Sequence, residues 1–170
     1  MLLCDADAEH VAAIKDRGLA IEGPVEEFVV RVLAVLPDDL PERLERVILA
    51  VKSQHTETAM IPIVPRLAPE GVVVSLQNGL NPPLIASIVG EERTVGAFVN
   101  FGADYLCPGR IFVGGRGALC VGELDGRASE RVERLVADLP DAEPTDKVAE
   151  PGELRSQPSS HSGGRRFESA

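Results

Sequence analysis

The stretch VILAVKSQHTETAM, residues 47–60, sets the fold class of this sequence. Its first five residues are uniformly apolar, which is typical of a parallel β-strand that is buried on both faces of its sheet. A helical pattern follows over residues 56–67, and its two prolines predict a kink or a break. Residues 72–76 (VVVSL) repeat the apolar strand pattern and end at the turn signal Gln77-Asn78-Gly79. Strand, helix and strand in this order predict an α/β fold with a doubly wound, mostly parallel sheet.

The same alternation of strands and helices extends on both sides of this stretch. Gly18 is the predicted C-cap of the first helix. The string GGRG separates two short apolar runs, residues 110–113 and 118–121, and predicts a β-hairpin. Further helices are predicted over residues 8–17, 81–89 and 129–139, and further strands over residues 1–4, 19–22, 28–36 and 94–98.

Length and composition are those of one globular domain. The chain has 170 residues, of which 44% are hydrophobic and 26% charged. We place the domain at residues 1–145. Residues 146–170 are rich in Ser, Gly, Pro and Arg and have no apolar period, so we expect a disordered or aberrant tail there.

Charge and hydropathy exclude several classes of partner. The net charge of −10 argues against binding to nucleic acid or to an anionic membrane, because both favour clustered basic residues. No apolar run reaches the roughly 18–20 residues that a membrane span needs, and the N-terminus lacks the pattern of a signal peptide. The widely spaced Cys4, Cys107 and Cys120 predict reduced thiols in a cytoplasmic protein, with no metal site.

Candidate site residues follow the predicted strands, because ligands in open α/β sheets lie beyond the carboxyl ends of the strands. Lys52 directly follows a buried strand, where its ammonium favours a phosphate or a carboxylate; a snorkelling surface lysine is the alternative. Asn78 offers an amide that donates and accepts at once, and is alternatively a turn residue. Asp5 lies where an acid binds a ribose 2′-hydroxyl in dinucleotide folds; alternatively it is a helix N-cap, for which Asp7 competes.

The Gly-rich phosphate turn of a dinucleotide-binding domain is missing. That turn follows the first strand and precedes the ribose acid by about 30 residues at most. Only four residues precede Asp5, and the string GGRGALCVG at residues 114–122 lies between two predicted strands. We therefore expect a dinucleotide-binding domain that is cut short.

Four segments of the sequence resemble the ketopantoate reductases (2-dehydropantoate 2-reductases) over about residues 2–140. The resemblance implies NADPH-dependent reduction of ketopantoate to pantoate, on the route to pantothenate and coenzyme A. It also implies an N-terminal Rossmann domain, a C-terminal helical domain and an active site in the cleft between them. The segments are VKSQHTETAM (51–60), VVVSLQNGLN (72–81), GAFVNFGADYLCPGRI (96–111) and VGELDG (121–126).

By this resemblance, Lys52 and Asn78 contact the cofactor and the substrate, a small 2-keto acid, and Ala103 lies against the cofactor with its backbone. Asp5 falls where the family distinguishes NADP from NAD. The family implies NADP, whereas an acid at this position fits the free 2′-hydroxyl of NAD. No catalytic residue is assigned, since the family's catalytic lysine lies on the helical domain. The resemblance thus implies an inactive fragment of an enzyme that is a possible homodimer when intact.

Three alternative functions of the chain remain. The first is another NAD(P)-dependent 2-keto or β-hydroxy acid dehydrogenase with the same fold. The second is a receiver-like signalling domain, but Lys52 stands where its phosphoacceptor aspartate is required. The third is a non-catalytic remnant.

Overall fold

The computed structural model describes residues 1–139 and 142–144, so the predicted tail at 146–170 lies outside the described residues. Eleven strands in three sheets and four α-helices make up this part of the chain. In chain order they are β1 (Leu2–Cys4), α1 (Ala8–Arg17), β2 (Leu19–Glu22), β3 (Phe28–Val30), β4 (Leu33–Val35), β5 (Leu44–Leu49), α2 (Thr56–Ile63), β6 (Leu67–Ser75), α3 (Asn81–Val89), β7 (Thr94–Val99), β8 (Ala103–Cys107), β9 (Arg110–Val113), β10 (Leu119–Gly122), α4 (Glu130–Asp138) and β11 (Ala142–Pro144).

The largest sheet has five strands in the order β11-β10-β7-β6-β5. Of the four pairs of neighbouring strands in this sheet, only β7–β10 is antiparallel, which confirms a mostly parallel sheet. The two apolar runs are adjacent and parallel as predicted, with Val47 opposite Val73. However, β5 is an edge strand, and Ile48 is 44% exposed. The prediction of a strand buried on both faces is therefore wrong for β5, because Ile48 is not part of the apolar cluster that Val132 and Leu135 of α4 bury on that face.

Helices cover both faces of this sheet. Successive residues of β6 point to opposite faces: Val73 packs with Met60 of α2 and Ile85 of α3, while Val74 packs on the side of Val132 of α4. All five side chains are buried, and each contributes roughly 1.5–3 kcal/mol through removal of apolar surface from water. The doubly wound arrangement is confirmed.

Two smaller sheets complete the described fold, and they correct two predictions. One has the order β3-β2-β9-β8, and the other pairs β1 with β4 in parallel. The run at residues 28–36 is therefore two strands in two sheets, because β3 pairs with β2. The predicted hairpin is also wrong: β9 pairs with β8 and β2, whereas β10 pairs with β7, so the GGRG string connects two different sheets.

Helix α1 packs its apolar face on these smaller sheets. Its Val11 and Ile14 form a cluster with Leu19 and Ala34. It begins at the N-cap Asp7 and ends at the predicted C-cap Gly18, whose φ of 87° is easily adopted only by glycine.

An ion pair between Glu123 and Arg131 fixes α4 to the five-stranded sheet. Arg131 Nε donates to Glu123 Oε1 at 2.6 Å, and the guanidinium also donates to the backbone oxygens of Glu92 and Thr94. Glu123 is only 8% exposed and also accepts from Ser129, the N-cap of α4. Hydrogen bonding to Arg131 lowers the pKa of the Glu123 carboxyl.

We expect Arg131→Met to lower the free energy of unfolding by about 2 kcal/mol at pH 7, because it leaves a largely buried carboxylate without its cation. The loss should shrink in acid. A carboxyl with a lowered folded pKa stabilises the fold above its unfolded pKa of about 4.3, and that stabilisation disappears as the pH falls through the folded value. Urea unfolding at a series of pH values measures both effects.

The matched control is Arg134→Met, since Arg134 forms an exposed pair with Glu130 on the same helix. It should change the stability by a few tenths of a kcal/mol. Equal losses for the two variants, or a loss at Arg131 that does not depend on pH, would contradict the assignment.

Candidate functional site

Lys52 lies beyond the carboxyl end of β5, but not directly at it. The strand ends at Leu49, so Ala50 and Val51 separate it from the lysine. Lys52 is exposed. The prediction that Lys52 directly follows a buried strand is therefore wrong, and its exposure fits the alternative of a surface lysine. The ammonium is instead accessible to an anion from solvent.

Asn78 lies beyond the carboxyl end of β6 in an exposed turn. The following Gly79 has a backbone φ of 106°, which residues other than glycine rarely adopt. The Ser53 hydroxyl donates to the Asn78 carbonyl oxygen at 2.9 Å. This bond joins the turn after β5 to the turn after β6, so the structure brings Lys52 and Asn78 to the same edge of the sheet.

A buried amide beneath these turns comes from Gln77, which is 7% exposed. Its Nε2 donates to the Val51 carbonyl oxygen at 2.7 Å and to Thr56 Oγ1 at 2.9 Å. Its Oε1 accepts from the Ser75 hydroxyl at 3.2 Å. Gln77 thus joins β6 to the backbone just before Lys52 and to the first residue of α2.

A second buried amide comes from Asn81, at the start of α3, which is 5% exposed. Its Nδ2 donates to Ser53 Oγ at 3.0 Å and to the Asn78 carbonyl oxygen at 3.1 Å. Its Oδ1 accepts from Thr56 Oγ1 at 3.4 Å. We call the five side chains of Ser53, Thr56, Ser75, Gln77 and Asn81 the amide cluster.

Thr56 and Asn81 are the members of this cluster that the sequence patterns did not distinguish. The available signal was a hydroxyl or amide side chain at the first position of a helix that follows a strand end closely. The N-cap positions are the preceding residues, His55 and Leu80, which make no side-chain capping bond. The side chains of Thr56 and Asn81 instead bond across to the neighbouring turn.

Asp5 lies at the end of β1, in the two-stranded sheet. The alternative of a helix N-cap is excluded for Asp5, because Asp7 caps α1 by accepting from the backbone N–H groups of Glu9 and His10. These bonds lower the pKa of Asp7, with the His10 N–H contributing most. Asp5 is exposed, and its Oδ1 accepts from the Asp7 N–H at 2.8 Å.

Ala103 is the first residue of β8, in the four-stranded sheet, where it pairs with Val113 and is exposed. Within the described part of the chain, no hydrogen bond joins Ala103 or Asp5 to the turns of Lys52 and Asn78. The roles predicted for Asp5, Lys52, Asn78 and Ala103 remain predictions.

Residues 1–139 and 142–144 contain no cluster of three His, Cys, Asp or Glu side chains that could hold a metal ion. No helix in these residues is long and apolar enough to cross a membrane.

Comparisons with known proteins identify the family of the chain. The family model described as ketopantoate reductase PanE/ApbA matches residues 1–126. A 2-dehydropantoate 2-reductase of Streptococcus pyogenes is 28% identical over 140 residues, which cover 82% of this chain and 45% of the relative. One of Archaeoglobus fulgidus is 34% identical over 105 residues, covering 60% of this chain and 34% of the relative. The chain therefore spans less than half the length of these relatives.

Solved structures show the same fold. A D-mandelate dehydrogenase with NADH and anilino(oxo)acetate has a TM-score of 0.75 at 23% identity, covering 86% of this chain and 49% of that one. A PanE/ApbA family ketopantoate reductase from Ralstonia eutropha has a TM-score of 0.71 at 27% identity, covering 84% and 48%. The matching proteins are oxidoreductases, and the match of the family model extends over most of the described residues. This chain belongs to the ketopantoate reductase family.

Proposed function

We propose that this chain supplies part of the cofactor- and substrate-binding half of an NAD(P)H-dependent reductase that converts ketopantoate to pantoate. The product would enter pantothenate and coenzyme A synthesis. The observation that carries the proposal is the Ser53–Asn78 hydrogen bond, because it unites the exposed Lys52 and Asn78 turns at one sheet edge. Family membership supports it.

The exposed groups fit a nicotinamide cofactor and a keto acid. The Lys52 ammonium binds a negative group, either a phosphate or the substrate carboxylate. The Asn78 amide can donate to a carbonyl oxygen and accept from an amide or a hydroxyl, which suits a ribose, a nicotinamide or a keto acid. When bound, the reduced cofactor supplies the hydride that adds to the keto carbon. The proton for the new hydroxyl comes, in this proposal, from the family's helical domain, so these residues bind and orient.

Asp5 bears on the choice of cofactor. Its Oδ1 accepts from Asp7, which leaves Oδ2 for the 2′-hydroxyl of an adenosine ribose. A carboxylate at that position repels a 2′-phosphate. The family implies NADP, whereas Asp5 supports NAD as the cofactor.

The substrate is tested with a chimaera that joins residues 2–139 to the flanking segments of the Streptococcus pyogenes relative. We expect it to oxidise NADPH or NADH with ketopantoate far faster than with pyruvate or oxaloacetate. In the chimaera, Lys52→Ala should lower kcat/KM about tenfold to a hundredfold, because a charge-assisted hydrogen bond is lost.

Lys15→Ala is the control, since Lys15 is an exposed lysine in the last turn of α1. It should leave kcat/KM unchanged. Equal rates with all three acids would overturn the substrate assignment, and a loss of the same size at Lys15 would overturn the role of Lys52.

A further inference from the structure

The amide cluster holds the backbone on both sides of Lys52 and at Asn78. Gln77 binds the carbonyl of Val51, the residue before Lys52, and the hydroxyl of Ser53, the residue after it, binds the Asn78 carbonyl. The side chains of Lys52 and Asn78 are themselves exposed. The cluster thus fixes where these two side chains emerge without occupying the space that a ligand would take.

The cluster permits one arrangement of its hydrogen bonds. The Val51 and Asn78 oxygens can only accept, so the NH2 groups of Gln77 and Asn81 must face them. Both hydrogens of each NH2 group are used, and the hydroxyl hydrogens of Ser53, Thr56 and Ser75 each have an acceptor. A network in which every donor is satisfied in one way rigidifies the backbone that it binds.

We propose that Ser53, Gln77 and Asn81 are positioning residues that hold the Lys52 and Asn78 turns in a single, binding-ready arrangement. This inference rests on the proposed function, since it assumes that the two side chains contact cofactor or substrate. Groups that are already ordered lose less conformational entropy when a ligand binds, so the affinity is higher than mobile turns would give. Ser53 is the member chosen for the test, because the residue is exposed and its hydroxyl both donates to the Asn78 carbonyl oxygen and accepts from the Asn81 amide.

The test is a titration of the 170-residue chain with NADH and, separately, with pantoate to millimolar concentration, followed by the backbone amide signals of Lys52 and Asn78 in NMR spectra. We expect Ser53→Ala to raise Kd about threefold to tenfold, because the two hydrogen bonds of its hydroxyl, to the Asn78 carbonyl oxygen and from the Asn81 amide, are lost. Ser53→Thr should restore the affinity. Ser87→Ala is the matched control, since the exposed Ser87 bonds only to Leu84 in its own helix, and its Kd and thermal midpoint should equal those of the unchanged chain.

A double-mutant cycle separates positioning from a general structural effect. Because part of the effect of Ser53 acts through the Asn78 side chain, Ser53→Ala should lower the affinity less in an Asn78→Ala background than in the unchanged chain. Full additivity, or a loss of affinity that only follows a fall in the thermal midpoint, would overturn the proposal.

The rate of amide hydrogen exchange at Asn78 and Gly79 tests the positioning role without any ligand. Exchange should be faster in Ser53→Ala than in Ser87→Ala, and unchanged exchange would overturn the proposal. If neither NADH nor pantoate shifts the signals of Lys52 and Asn78, the proposed function fails, while the exchange data still show whether Ser53 orders the turns.

Discussion

Calorimetric titration of the 170-residue chain with NADPH or NADH is expected to give no saturable binding in the micromolar range, and a parallel assay no turnover of ketopantoate. Pyrophosphate affinity in dinucleotide folds comes largely from backbone N–H groups of a Gly-rich turn at a helix N-terminus. None of the strand-to-helix turns in the described residues has a Gly-x-Gly pattern. In the turn before α1, the Asp7 carboxylate already accepts from the first free N–H groups of the helix.

The expected effect is large. Several charge-assisted hydrogen bonds are missing, each worth roughly 1.5–3 kcal/mol, and together they are expected to move the Kd from the micromolar to the millimolar range, where an NMR titration still detects binding. The chimaera, which carries the relative's own N-terminal segment, is the positive control and should bind in the micromolar range. A micromolar Kd or measurable ketopantoate reduction by the 170-residue chain itself would contradict the prediction.

Gln77→Glu should lower the free energy of unfolding by about 3 kcal/mol at pH 7. The change replaces the donating NH2 group with a carboxylate oxygen, which would face the Val51 carbonyl at the position of the present 2.7 Å bond. Two acceptors then meet in a buried site, and the partners that Gln77 has among the described residues, Val51, Thr56 and Ser75, are uncharged. Urea unfolding followed by circular dichroism measures the loss.

Gln54→Glu is the matched control, because it makes the same chemical change at an exposed position on the neighbouring turn. Its stability should stay within about 0.5 kcal/mol of the unchanged chain. A loss of similar size at both positions would show that net charge, rather than the hydrogen bonds of Gln77, accounts for the effect.

Local patterns predicted much of the fold. The helices α1, α3 and α4 lie within a residue of their predicted bounds, because apolar periodicity and capping residues act over one or two turns. The adjacent parallel strands β5 and β6 followed from two apolar runs on either side of a helix. What failed was the assignment of strands to sheets. The run at 28–36 changes sheet midway, and β9 takes the distant β2 as one of its two partners, so neither feature has a local signature.

The site was predicted in outline only. The rule that ligands lie beyond the carboxyl ends of parallel strands located Lys52 and Asn78 at one edge. It could not locate the amide cluster, whose bonds join side chains more than twenty residues apart, such as Thr56 and Gln77. Nor could it show that Lys52 is exposed, since this depends on where β5 ends.

The parallel pairing of β2 with β9 has a consequence for how the chain folds as it is synthesised. Ala20 pairs with Arg110, whereas Val47 pairs with Val73 and Val74 with Val95. Closing the longer loop costs about 1 kcal/mol more in chain entropy than closing the shorter ones. The β5-β6-β7 unit can therefore form while the ribosome is still producing the chain. Strands β2 and β3, although synthesised before residues 110–113, must wait for them before the four-stranded sheet can form, so we expect this sheet to form late.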